Sequence, residues 1–194
     1  MSKSLQNAEK KQNEIIQSAL DLFLLQGYGA TSMDAVAKQA GMTKQTVYRY
    51  YPSKETLFVA VMEKIRADEV PPYEFGDAPL QVELRNFGQQ LLAFHLTPSA
   101  LGVYKLMLTE GGAENLLKPF MNAGPKRVMQ PLTSFLQQHF DASIDITFSA
   151  QMFATMILTP RNQIMMSGKG TISDTAQEEH VNKVVTLFLK GIEK

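Results

Sequence analysis

The chain has 194 residues, 44% of them hydrophobic, which is long enough for a small module followed by a larger body with a real core. It contains no cysteine, which excludes a disulfide framework, a thiolate metal site and a cysteine nucleophile. Its 19 basic and 19 acidic side chains cancel, which argues against indiscriminate binding to nucleic acid, yet residues 1–54 carry seven lysines and arginines against four acidic residues.

The apolar spacing is helical nearly throughout, and no segment shows the sustained alternation of a strand, so the chain reads as all-α with about nine helices. From Lys10 to Leu25, the residues Ile15, Ile16, Ala19, Leu20 and Phe23 recur at steps of three and four, and Gly27 stands where a helix ends. Thr31 and Ser32 can cap a short second helix whose buried stripe is Met33, Val36, Ala37 and Ala40. Gly41-Met42 then forms a tight turn, and Thr43 caps a third helix running to about Tyr51. The fourth helix is expected over Ser53–Asp68, with Leu57, Phe58, Val61 and Ile65 inside, before Val70-Pro71-Pro72 breaks it. Beyond a junction at 70–79, helices are expected at about 79–95, 98–110, 112–140, 145–167 and 174–192. Pro119, Pro125, Pro131 and Pro160 fall inside these spans, so at least the third should be broken or kinked. The domain division that follows is 1–54 for the head, 55–78 for the connecting helix and junction, and 79–194 for the body.

The segment from Gly27 to Leu57 combines several fixed-spacing features: Gly27-Tyr28 with Thr31-Ser32, Ala37 with Ala40-Gly41, the Thr43 cap, Val47-Tyr48, Tyr50-Tyr51, and Ser53-Lys54-Glu55 with Leu57. Over about residues 10–66 it resembles the DNA-binding domain of TetR-family regulators. The resemblance implies a three-helix helix-turn-helix head, a double-stranded DNA operator as partner, a dimer, and repression as the default sense of regulation. One departure is visible, because many members carry glycine where this chain has Gln45.

The residue types fit that implication physically. A recognition helix must keep one face on its own core while offering hydrogen-bonding side chains to the major groove. Val47 and Tyr51 can face the core, which leaves Lys44, Gln45 and Thr46 on the first exposed turn as the base readers. Thr43, Tyr48, Arg49 and Tyr50 can reach phosphates, as can Thr31 and Ser32 at the start of the second helix and Lys54 at the start of the fourth. Viewed as an isolated segment, the same residues describe a solvated helix face with core tyrosines.

Residues 80–167 are similar, more loosely, to the C-terminal domain of AefR-like members, in Leu84-Arg85-Asn86-Phe87-Gly88 and in Ala123-Gly124-Pro125. That similarity implies a ligand cavity between these helices, and the methionine and aromatic side chains there suit one that accepts a small hydrophobic effector. Adaptable side chains suited to such a cavity are Phe87, Leu91, Phe94, Tyr104, Met107, Phe120, Met129, Met152, Phe153 and Met156, with His95, Tyr104, Asn122 and Gln151 as polar anchors. The bland alternative is plain core. A homodimer is expected through the last two helices: Ala150 and Ala154 allow close approach, and Val181, Val184, Val185, Phe188 and Ile192 form the matching stripe. The same stripes can instead close the protomer's own core.

No cofactor, metal or catalytic site is expected. His95, His139 and His180 are scattered, and neither a nucleophile elbow nor a phosphate-binding glycine loop occurs. The N-terminal MSKSLQNAEKKQNEI lacks the apolar core of a signal peptide and no apolar run suits a bilayer, so a cytoplasmic protein without a membrane partner is expected. The alternative function is a DNA-organising or protein-interaction module that answers to no small molecule.

Overall fold

A computed structural model of the chain describes residues 3–69, 73–109, 129–168 and 170–192, and every regular element among them is a helix. The chain divides into two compact units, Met1–Asp68 with Gly102–Met121, and Glu69–Leu101 with Asn122–Lys194.

In the first unit, α1 spans Lys3–Gln26, one to two turns longer at its start than the apolar stripe alone indicates. Polar residues without a proline or glycine lead into the stripe, so nothing stops the helix from extending outward. Ile15, Ala19 and Phe23 lie inward at four-residue steps, and Gly27 closes the helix with φ of 89°. Helix α2, Met33–Gln39, buries Met33, Val36 and Ala37. It ends in a Schellman turn: Met42 N donates to Ala37 O at 2.9 Å and Gly41 N to Lys38 O at 3.2 Å, with Gly41 at φ of 64°. Helices α3, Lys44–Tyr50, and α4, Lys54–Glu69, follow. The expected inner face of α4, Leu57, Phe58, Val61 and Ile65, is buried together with Met62. Phe23, Tyr28 and Phe58 pack with ring centroids 5.3–5.6 Å apart, joining α1, the α1–α2 turn and α4.

The chain continues through α5, Leu80–His95, and α6, Pro98–Thr109. In the second unit come α7, described over residues 129–137, α8, Ile146–Ile157, α9, Thr159–Ser167, and α10, Asp174–Ile192. The core is one cluster that includes Leu84, Phe87, Leu92, Leu132, Leu136, Phe153, Ile157, Val181 and Val185. Gly88 lets α5 approach closely: a Cβ there would stand 2.9 Å from Ile157 Cδ1 and 3.0 Å from Val181 Cγ1.

The single helix expected over 145–167 is two. Helix α8 stops at Leu158, and Pro160 occupies the first turn of α9. Proline has no N–H to donate and its ring crowds the carbonyl four residues back, so a helix accommodates it in the first turn and not in the interior. Of the helix expected over 112–140, residues 112–128 lie outside the described residues, as do Val70, Pro71, Pro72, Phe120, Asn122 and Ala123-Gly124-Pro125. Among the described residues no helix is long and apolar enough to cross a membrane.

Candidate nucleic-acid interface

The α2–α3 pair is built by two caps and one anchor. Ser32 Oγ accepts Ala35 N at 3.1 Å, and Thr43 Oγ1 accepts Thr46 N at 3.2 Å, so both short helices begin on satisfied N–H groups. The cap of α2 is Ser32 alone. Thr31 is buried, donating its hydroxyl to Gly27 O at 2.7 Å and accepting from Gln26 Nε2 at 3.1 Å. It therefore has no free hydroxyl for a phosphate, and the reading of Thr31 as a DNA contact is corrected to a brace of the α1–α2 turn. In α3 only Val47 is buried, which fixes the helix by one side and turns the rest outward. Tyr51, the C-cap, is half-buried, and that burial raises its phenol above the usual range.

The residues expected to read bases lie on the outer side of α3. Gln45 is exposed and makes no side-chain hydrogen bond among the described residues. Thr43 and Thr46 share a hydroxyl–hydroxyl hydrogen bond of 2.9 Å at the start of the helix. Lys44 holds Asp34 of α2 at 2.9 Å and lies 5.7 Å from the ring of Tyr48. The hydrogen bond to Asp34, then its charge, raise the lysine above its ordinary pKa. Both partners are more than 60% exposed, so this is a solvent-screened pair that a nucleic-acid acceptor can replace at little cost. Tyr48 is 39% exposed, and Arg49 stacks over Tyr50 at 5.3 Å, holding a cation and a phenol together on the outer side of α3.

Lys54 behaves differently from its expected role. Its Nζ donates to Tyr28 O at 2.7 Å, Thr31 O at 2.8 Å and Gly29 O at 3.3 Å, and sits 4.3 Å above the Tyr28 ring. All three ammonium donors are satisfied by the turn between α1 and α2, so Lys54 is corrected from phosphate ligand to the staple tying α4 to that turn. Its partners lie more than twenty residues upstream, a separation that no periodicity rule can register. The bridge from Asp34 across the turn to Lys44 is likewise visible only in three dimensions.

In the body, Phe87, Leu91 and Phe153 are buried in the core and Met129 and Met156 pack partly against it. His95 Nδ1 pairs with Leu91 O at 2.8 Å and its ring meets Phe94 edge-on at 4.9 Å. Burial lowers its pKa to about 4. Tyr104 is half-buried, while Gln151 is exposed. The Met107 side chain and Phe120 lie outside the described residues. Met152 is corrected: it is 39% exposed and stands four residues from Phe148, 57% exposed, on the outer side of α8. The residues expected at a dimer interface are corrected too. Ala150, Ala154, Val181, Val184, Val185 and Phe188 are buried within the protomer's own core, and Ile192 packs partly against it. A face already closed inside one protomer is not offered to a second.

Comparison with known proteins adds to this geometry. Residues 15–61 match the family described as "Bacterial regulatory proteins, tetR family", and residues 82–191 match "AefR-like transcriptional repressor, C-terminal domain". The HTH-type transcriptional regulator RutR of Escherichia coli (strain K12) is 38% identical over 55 residues, 28% of this chain and 26% of that protein. Against the regulator YuxN of Bacillus subtilis (strain 168), 39% identity over 54 residues covers 19% of the relative. The likeness to these curated relatives thus spans less than a third of their length. Solved structures match along the whole fold. A protein from Mesorhizobium loti MAFF303099 assigned to the TetR family superposes with a TM-score of 0.77 at 25% identity, covering 98% of each chain. The flavonoid-responsive regulator FrrA superposes with a TM-score of 0.76 at 29% identity, covering 94% of this chain and 97% of its own.

Proposed function

Because this chain belongs to the TetR family of bacterial regulatory proteins and carries an AefR-like C-terminal domain, we propose that it is a ligand-responsive transcriptional repressor acting on a DNA operator in the cytoplasm. The observation that carries this reading is the first turn of α3: capped by Thr43, anchored by the buried Val47, and presenting Lys44, Gln45 and Thr46 to solvent. Glutamine can pair with an adenine edge and lysine with guanine O6 and N7, while Tyr48, Arg49 and Tyr50 serve phosphates on either side. Ser32 contributes from the first turn of α2.

The repressor acts as a homodimer. With the inner stripes of α8 and α10 closed within the protomer, the surface that supports this reading is their outer side, where Phe148 and Met152 of α8 and Leu187 of α10, 63% exposed, remain uncovered. A two-fold dimer places two α3 helices on half-sites related by symmetry, so the operator is pseudo-palindromic, with half-sites about one helical turn or a multiple apart. The effector is a small hydrophobic molecule, and the likeness to a flavonoid-responsive regulator favours an aromatic one. Genomic footprinting tests the proposal directly: it should recover symmetric sites, and a scatter of asymmetric, sequence-independent sites would overturn it.

A further inference from the structure

Residues 73–79 form no regular secondary structure, yet two aromatic side chains from this segment are fastened to the helical body. Phe75 stacks on Phe135 of α7 with centroids 4.2 Å apart and planes 14° apart, and on Phe87 of α5 at 5.4 Å and 28°. Tyr73 meets Phe75 and Phe87 edge-on at 4.8 and 5.5 Å, and its hydroxyl donates to Glu83 Oε2 at 2.7 Å. The receiving side is built on helices, whereas the inserted side is irregular chain whose rings are only partly buried.

Glu83 is the unusual member. It is 5% exposed in an aromatic setting, and Gly76 passes so close that a Cβ there would stand 3.2 Å from its Oε1. A buried carboxyl group needs hydrogen-bond donors, and Tyr73 supplies one. Any molecule that replaced the segment would have to bring a flat ring for Phe87 and Phe135 and a hydroxyl for Glu83. The protein's own Tyr73 and Phe75 are that pair of groups.

We propose that the position occupied by Tyr73 and Phe75 against Phe87, Phe135 and Glu83 is an effector subsite for a planar hydroxylated aromatic molecule, which binds by displacing the 73–76 segment. The proposal rests on the reading of this body as ligand-responsive. The segment begins four residues after α4 ends at Glu69. Because the docked segment competes with the effector, docking lowers the apparent affinity by the fraction of molecules in which the position is open.

The chain has no tryptophan, so Phe75→Trp introduces a single indole reporter. The probe is 4-phenylphenol, with biphenyl as the analogue lacking the hydroxyl. Titration with 4-phenylphenol should red-shift the indole emission and increase its quenching by acrylamide, both saturably. Glu83→Gln loosens the docked Tyr73 for both probes alike, so it should lower the affinity for 4-phenylphenol relative to that for biphenyl at least fivefold. Phe75→Ala should bind 4-phenylphenol at least tenfold more tightly than the parent, and Phe75→Leu, which keeps apolar volume without stacking, should shift affinity in the same direction. No binding by calorimetry, binding with unchanged indole emission, or unaltered affinity in both Phe75 variants would each overturn the subsite. If another apolar compound releases operator DNA while the indole stays unmoved, ligand response stands and this subsite falls. If 4-phenylphenol moves the indole and neither it nor any other compound alters DNA binding, the subsite stands and the regulatory reading falls.

Discussion

Replacing Lys54 with methionine keeps most of the stem and removes the ammonium that ties α4 to the α1–α2 turn. Two of its three hydrogen bonds, to Tyr28 O and Thr31 O, are part-buried and no longer than 2.8 Å, whereas the third, to Gly29 O, is exposed and 3.3 Å long. Counting about 1.5 kcal/mol for each of the two short charge-assisted bonds and about 0.5 for the contact with the Tyr28 ring gives about 3.5 kcal/mol. Lys54 is partly exposed and the freed carbonyls regain water, which brings the expected loss to about 2–3 kcal/mol. Urea unfolding followed by circular dichroism should show that loss for Lys54→Met, while Lys54→Arg should retain part of the stability. The slope of operator affinity against salt separates the two roles of the charge. A phosphate ligand contributes about 0.9 to that slope and a staple contributes nothing. Parental stability with a slope smaller by about 0.9 would refute the staple and restore Lys54 to the DNA.

Gel shifts should show that Tyr48→Ala weakens binding to every sequence, whereas Gln45→Ala relaxes preference at one position by about 1–3 kcal/mol; parental behaviour of both variants would displace the interface from α3. Light scattering should show that Phe148→Glu combined with Leu187→Glu gives folded monomers. Val184→Asp should instead unfold the protomer, because it places an unpaired charge in the core, and a folded monomer from Val184→Asp would reverse the assignment of the two faces. Stability should also depend on pH through His95, whose pKa lies near 4 in the folded protein because of its burial, below the ordinary histidine value of 6.5. The unfolded chain then binds the extra proton between pH 6.5 and 4, so stability falls by about 3 kcal/mol as pH drops through that window. His95→Gln should flatten this dependence in thermal melts, and an unchanged slope would assign it to other groups.

The head was legible in the sequence because its determinants are local. Caps at Ser32 and Thr43, the glycine turn at Gly41 and the four-residue apolar steps of α1 and α4 each act within one or two helical turns, so spacing alone locates them. Helix type in the body follows from the same periodicity, and α10 spans Asp174–Ile192 as its stripe indicates. What a side chain faces is set by contacts between distant segments. Spacing can show that Val181, Val184, Val185 and Phe188 share a stripe, but a stripe that closes a protomer and one that joins two are the same pattern, and only packing against α5 and α8 decides between them. Lys54 and Thr31 looked like phosphate ligands because hydroxyls and ammonium groups at helix starts commonly are. Their actual partners are carbonyls of the α1–α2 turn and the side chain of Gln26 at the end of α1, brought within reach by the Phe23, Tyr28 and Phe58 cluster. The 70–79 stretch read as a junction because it breaks helical periodicity. The anchoring of Tyr73 and Phe75 on Phe87, Phe135 and Glu83 is a tertiary fact, since rings from an irregular segment acquire a place only once α5 and α7 have built one.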